Sequence, residues 1–343
     1  MPVPRRPALP APPGRTPTLA LGLALVATLG TALGPLPATA ARAADNGEWS
    51  VFPAAASRPD GGRPYFHLSA DPGRSVTDRV TVANKTAAPL TFRLYAADAY
   101  NTARDGGFAV RSPDERQRGV GAWAKPARQR ITVPARSSVT VPYTLTVPES
   151  AEPGDHSGAL VALDERVAPP SGAVAVGVRR AVGARVHLKV TGPAVPALTV
   201  EDVRISQDRP LVPGTGESSA LISYTLHNRG NVTLGPEVAL KAEGLFGRDL
   251  LSRRLTRVPS ELLPRQRIRL TERWAGSPQL EWGEIRLTAS AGQLRESAGV
   301  SFLALPWTVA AALALALAPI AFRIRRRVRK RARARRAGTP ARA

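Results

Sequence analysis

Asp155-His156-Ser157 places an acid, an imidazole and a hydroxyl side by side in a chain of 343 residues. Those are the three groups of a nucleophilic relay. Consecutive residues of a turn or strand point in different directions, so these three do not pass a proton among themselves. The triplet reads instead as a turn ahead of a strand from Gly158 to Leu163. The histidines, His67, His156, His187 and His227, lack the spacing of a zinc site. Cysteine is absent, which removes thiolate metal sites and disulfides. Asp98, Asn101 and Asp105 offer oxygens in one loop, without the spacing of a calcium loop. No metal and no other cofactor is expected. No paired carboxylates and no nucleophile–base pair stand at a readable spacing, so the chain is not expected to be an enzyme. The chemistry these residues do fit is recognition. Tyr100 can stack on a sugar face while Asp98 and Asn101 exchange hydrogen bonds with hydroxyls and amides. Trp123, in a loop flanked by Gly and Lys, is the tryptophan expected at the surface. Trp49, Trp274 and Trp282 are expected in cores. Asn84-Lys85-Thr86 and Asn231-Val232-Thr233 match the glycosylation sequon.

The elements that must carry these residues are bounded first by charge. The net charge of +22 looks like a nucleic-acid signal, but eleven of the 48 Lys and Arg follow Phe322 and four precede Ala44. Neither end holds an acid, which leaves 33 basic residues against 26 acidic ones between them. Zinc-finger spacing and RNA-recognition aromatic motifs are absent, so no nucleic-acid partner is expected.

The basic ends flank apolar runs. Arg5, Arg6 and Arg15 precede Leu19 to Leu29, and small residues follow at Ala38-Thr39-Ala40 and Ala41-Arg42-Ala43. That order is a secretory signal peptide over 1–43, cut after Ala40 or Ala43. Near the other end, 302–322 carries no charge, and its length matches a hydrocarbon core of about 30 Å. Phe302 and Phe322 bound this expected transmembrane anchor, with Trp307 near its outer edge. Arg323, Arg325, Arg326 and Arg327 then open a basic tail, 323–343, which stops transfer and keeps the C-terminus in the cytoplasm. The remainder lies outside.

Between the ends, short alternating runs dominate. Val139-Thr140-Val141-Pro142-Tyr143-Thr144-Leu145-Thr146-Val147 is apolar at every odd position, the pattern of a half-buried strand. Pro142 on the polar face predicts an edge strand or a bulge. Turn formers at Thr191-Gly192-Pro193-Ala194-Val195-Pro196 divide the region. Strands are expected on both sides, with Leu198 to Ile205, Ala220 to Leu226 and Ile268 to Trp274 among the later ones. Val82-Ala83-Asn84 and Leu226-His227-Asn228 each end a strand, a faint internal echo. The expected fold is all-β: two immunoglobulin-like β-sandwich domains in tandem, 45–192 and 196–300, plus one C-terminal transmembrane helix.

The first domain resembles the peptidoglycan-binding domain of WxL-interacting proteins of the bacterial cell surface. Trp49-Ser50-Val51-Phe52-Pro53, Tyr65-Phe66-His67-Leu68, Pro72-Gly73 and Val80-Thr81-Val82-Ala83-Asn84 carry the resemblance. So do Asp98-Ala99-Tyr100-Asn101-Thr102 with Gly106-Gly107, Val147-Pro148, and Pro153-Gly154-Asp155-His156-Ser157-Gly158-Ala159. It covers about 45–190, and the order of segments also matches. The second domain matches in layout only. The resemblance implies that the first domain binds peptidoglycan and that the second binds another protein, a WxL-type surface protein or a host protein. The expected partners are therefore peptidoglycan, another surface protein and the membrane through one helix.

Overall fold

The computed structural model describes residues 44–54, 63–166 and 179–337. The expected signal peptide and residues 338–343 of the tail lie outside these. The first half of the chain supplies β1 (Ala44–Asp45), β2 (Trp49–Pro53), β3 (Phe66–Ala70), β4 (Ser75–Asn84), β5 (Leu90–Asn101) and β6 (Phe108–Val110). After one helical turn, α1 (Val120–Trp123), come β7 (Ala124–Pro126), β8 (Arg130–Val133), β9 (Ser138–Thr146), β10 (Gly154–Asp164) and β11 (Ala181–Val190). One sheet runs β1-β2-β4-β9-β7. The other runs β3-β11-β10-β5-β6, with β8 also on β5. β3 and β11 are parallel.

Alternation explains how these sheets pack. In β9, Val141, Tyr143 and Leu145 are buried while Thr140, Thr144 and Thr146 are exposed, because the pleat sends neighbours to opposite faces. Their apolar faces meet in one core, where Trp49 packs on Phe92 at 5.2 Å and Phe66 on Tyr143 at 5.3 Å between ring centroids. β9 is not an edge strand, because β4 and β7 flank it. Pro142 lies where the three-residue β7 ends, so its missing N–H costs no ladder bond there.

The second half supplies β12 (Leu198–Asp208), β13 (Ser219–Asn228), β14 (Glu237–Glu243), β15 (Asp249–Leu255), β16 (Arg267–Ala275), β17 (Glu281–Ala291) and β18 (Leu294–Ala304). They form a three-stranded sheet, β12-β13-β16, and a four-stranded one, β15-β14-β17-β18. A second core lies between them, with Trp274 edge-on to Phe302 at 6.0 Å.

Two expectations at the C-terminal end are corrected. Strand β18 continues to Ala304, and Phe302 is a buried core residue there, not the first residue of a membrane span. Pairing with β17 decides this: Gly283 faces Phe302 in an antiparallel ladder that satisfies the backbone. The helix, α2, starts at Trp307 and runs to Ala337. The expected tail therefore begins as helix, with Arg323, Arg325, Arg326 and Arg327 exposed on it. Within α2, Thr308–Arg329 is long and apolar enough to cross a membrane, and none of it is buried against the strands.

Candidate functional site

Asp98 organises the end of the first half. The residue is on strand β5, not in a loop as the sequence suggested, and its side chain is nearly buried. The carboxylate accepts the N–H groups of Arg118, Gly119 (3.1 Å) and Gly121 (2.7 Å). These are the otherwise unpaired donors at the start of α1, so the acid acts as a cap supplied from another strand. Gln117 closes the loop from the other side. Its Oε1 accepts the Asp98 N–H at 2.8 Å, and its Nε2 donates to Ser112 O at 2.9 Å. Gly121 is required by this close approach, since a Cβ there would lie 2.6 Å from the Asp98 nitrogen.

The anchored turn delivers Trp123. The indole is half-buried, packs on the rim of the first core, and meets the His156 ring at 4.8 Å with a 53° tilt. His156 Nε2 lies 2.8 Å from Glu152 O. A carbonyl only accepts, so Nε2 carries the proton. Asp155, His156 and Ser157 open strand β10 rather than forming a turn. His156 spends its donor on the backbone and its ring on Trp123, so no relay to Ser157 exists.

Trp123 and His156 wall a cleft of about 780 Å³. Four arginines line it: Arg111, Arg116, Arg118 and Arg265. Arg111 pairs with Glu115 at 3.1 Å, and Arg265 pairs with Glu152. Asp155 accepts the Thr233 N–H at 2.7 Å. Every acid of the cleft is thus engaged. Arg116 and Arg118 are exposed and have no acid partner among the described residues. The cleft combines an aromatic wall, two uncompensated cations, and the hydroxyls of Ser150 and Ser157. A ligand with a flat apolar face, hydroxyls and carboxylates fits that set.

The floor of the cleft is the joint between the two halves. Asn101, expected to contact ligand, is buried. It donates to Glu261 O at 2.8 Å and to Gly106 O at 2.7 Å, and it accepts the Leu263 N–H at 2.9 Å. Asn231 reciprocates from the second half, donating to Pro153 O at 2.8 Å and accepting the Val195 N–H at 2.7 Å. Gly154, at φ +121°, makes room, because a Cβ there would fall 2.2 Å from Asn231 O. Arg185 adds an ion pair to Glu261 at 3.4 Å.

Of the four residues expected at a ligand site, the structure puts Asp98 and Trp123 on the lining of the cleft. Asn101 lies in the joint, and Tyr100 packs under the Arg111 guanidinium at 5.8 Å. The three oxygen-bearing side chains that the sequence put in one loop have separate partners: Asp98 caps α1, Asn101 bridges the halves, and Asp105 accepts from Thr102 and Gly107. Trp49 and Trp274 are in cores as expected, but Trp282 is 60% exposed. Both sequon asparagines use their amides within the fold, Asn84 at 2% exposure. Sequence reasoning missed Arg116, Arg118 and His156 as cleft residues. The basic cluster Arg111, Arg116 and Arg118 was the available signal. What brings it to Trp123 is a carboxylate twenty residues away, which no local pattern reveals.

A second hollow, of about 660 Å³, adjoins the cleft at Asp155 and Ser157 and is lined by Tyr65, His67, His187 and Glu261. His67 and His187 face each other across the parallel β3–β11 pair and stack at 5.1 Å. Burial pushes the His187 pKa down.

No family model matches the sequence, and no curated protein matches it. Among solved structures, the chain is similar to a chaperone–tip adhesin complex of CFA/I fimbriae, at 10% identity and a TM-score of 0.34. That match covers 75% of this chain and 99% of the other. It is also similar to the CsuC–CsuE chaperone–tip adhesion subunit pre-assembly complex of Acinetobacter baumannii. There the identity is 12%, the TM-score 0.33, and the cover 68% and 94%. For the SafB chaperone with SafA pilin of Salmonella enterica the figures are 8%, 0.32, 76% and 100%. Likeness at this level carries no function over to this chain.

Proposed function

We propose that the chain is a non-enzymatic, membrane-anchored surface protein of two tandem immunoglobulin-like modules, the first of which binds peptidoglycan in the Trp123 cleft. The observation that carries the reading is the cleft's composition. Peptidoglycan strands present sugar faces and hydroxyls, and their lactyl and stem-peptide groups present carboxylates. The Trp123–His156 wall suits the first, and Arg116 and Arg118 suit the last. The resemblance of 45–190 to a peptidoglycan-binding domain points the same way. The tandem reading is supported by two separate cores, each between two sheets. Helix α2 anchors the chain. Each tail arginine costs about 2.5–3.5 kcal/mol at a bilayer centre, which favours a cytoplasmic tail and an outward first module. Purified full-length chain in detergent should co-sediment with insoluble peptidoglycan at low salt and be released by soluble muropeptide. Retention in the supernatant contradicts the reading.

The second module is the spacer, or the docking site for another surface protein. The observation favouring docking is strand β15, which pairs only with β14 and so leaves one edge of its sheet unpaired among the described residues. An open edge is where a partner strand can add. Cross-linking in whole cells should give protein adducts on Asp249–Leu255 if this holds, and none if the module is only a spacer.

A further inference from the structure

The exposed apolar side chains of the second half gather at one end. Outside α2, ten large hydrophobic residues are exposed among the described residues, and eight of them lie where the chain enters the helix. They are Leu211 and Val212, Leu245 and Phe246, Leu280 and Trp282, and Leu303 and Leu305. The backbone places them together. Trp282 faces Leu303 across the β17–β18 ladder. Glu281, beside it, accepts the Leu245 N–H at 3.0 Å and pairs with Arg248. That clamp holds the tight turn that presents Phe246 at φ +58°, fully exposed. Gln279 ties the third loop in, donating to Gly216 O at 2.8 Å and accepting the Gly214 N–H at 2.6 Å. Thr308, in the first turn of α2, donates to Leu211 O. Fixed loops that expose Phe and Trp forgo the stabilisation that burying such large apolar side chains gives.

The length of the helix says what covers this surface. Because β18 takes residues up to Ala304, the uncharged part of α2 is Trp307–Phe322. At 1.5 Å per residue it reaches about 24 Å, some 6 Å short of a hydrocarbon core of about 30 Å. A short span is met by thinning the bilayer, by snorkelling of the flanking arginines, or by apolar surface beside the helix. We infer that the ring formed by Leu211, Phe246, Trp282, Leu303 and Leu305 is seated in the lipid headgroup–acyl boundary, so that the second module stands on the membrane rather than swinging above it. The inference rests on α2 being the membrane anchor proposed above. The occupant is lipid because Leu305 lies two residues from the start of that helix. Aromatic side chains also suit that depth.

The chain has no cysteine, so single-cysteine variants can each carry one nitroxide in the full-length protein, reconstituted in phosphatidylcholine–phosphatidylglycerol vesicles. Phe246→Cys and Leu303→Cys report the ring. Leu315→Cys reports the helix. Val195→Cys, exposed at the far end of the second half, reports water. Collisions with a water-soluble nickel chelate should be several-fold rarer at the two ring positions than at Val195→Cys, and collisions with oxygen more frequent. Ring labels as open to the chelate as Val195→Cys, with Leu315→Cys deep in lipid, overturn the seating and leave the anchor intact; the arginines then cover the mismatch. A water-exposed Leu315→Cys overturns the anchor and the seating together. Circular dichroism melts of each variant confirm that the labels report the folded chain.

Discussion

Asn84 and Asn228 hold the same position in the two halves of the molecule. Each ends a central strand, β4 or β13, and each is buried. Each donates from Nδ2 to the carbonyl four residues on, Ala88 at 2.8 Å and Val232 at 2.7 Å. Each accepts from the backbone two residues on, Thr86 N–H at 2.9 Å and Gly230 N–H at 3.0 Å. Each also ties a distant segment, Val133 O at 3.2 Å and Leu262 O at 3.0 Å. Three residues after those carbonyls, Arg136 and Arg265 both take positive φ, at 50° and 59°. One residue further, Ser137 O and Gln266 O accept the N–H groups of Asn84 and Asn228 at 2.8 and 3.0 Å. The same device is thus built twice.

Because the amide both donates and accepts where water does not reach, no isostere replaces it. Asn84→Ala and Asn228→Ala should each lose about 2–3 kcal/mol in urea unfolding, from lost bonds and stranded carbonyls. Asn228→Asp should be no better, since a carboxylate cannot donate to Val232 and Leu262. Equal stability of Asn228→Asp and the parent chain contradicts the assignment.

Asp98 predicts a coupled loss. Asp98→Ala strands three backbone donors at the start of α1 and should cost about 3 kcal/mol, since bonds to a charged acceptor are the strong ones. Trp123 should then leave its half-buried place, giving a red-shifted emission when read in a variant with the other tryptophans replaced. Unchanged emission means that something other than Asp98 positions α1.

The His67–His187 stack predicts a pH dependence. Burial holds the His187 pKa below its ordinary 6.5, so the folded chain binds this proton less readily than the unfolded one. The stability it contributes is present above pH 6.5 and is lost as pH falls through that value toward the lowered folded pKa. Glu261 and Asp155 oppose the shift, while His67 and Arg185 add to it. His187→Gln should therefore flatten the fall in melting temperature between pH 7.5 and 5.5. An identical slope in the variant refutes this.

The uncompensated cations predict the electrostatics of binding. Arg116→Gln with Arg118→Gln should weaken binding to muropeptide roughly tenfold at low salt, about 1.4 kcal/mol. Its salt dependence should fall too, because exposed charge is screened. The melting temperature should not move, since neither side chain has an acid partner among the described residues. A tenfold loss at low salt that persists at 1 M salt points away from these charges.

How much of this was legible in the sequence depends on range. Strands β9 and β13 declare themselves through alternation that is local and strong. The strand-end echo at Asn84 and Asn228 was visible because a short polar stop after an apolar run is also local. Phe302 misled because apolar composition does not distinguish the last turns of a core strand from the first turns of a membrane helix. Only pairing with β17 decides it. Asn101 misled for a similar reason. Polar residues that follow an aromatic look like a binding loop, and nothing nearby shows that Glu261 and Leu263, about 160 residues on, take up the amide.

Titration of the full-length chain in detergent with a soluble disaccharide–tetrapeptide, followed by Trp123 emission in a variant keeping that tryptophan alone, tests the central claim most directly. Saturable quenching at low salt whose midpoint rises roughly tenfold in Arg116→Gln/Arg118→Gln, and parent-chain binding that Trp123→Ala removes, are the predicted results. Binding that survives Trp123→Ala undiminished would place the glycan elsewhere and contradict the account.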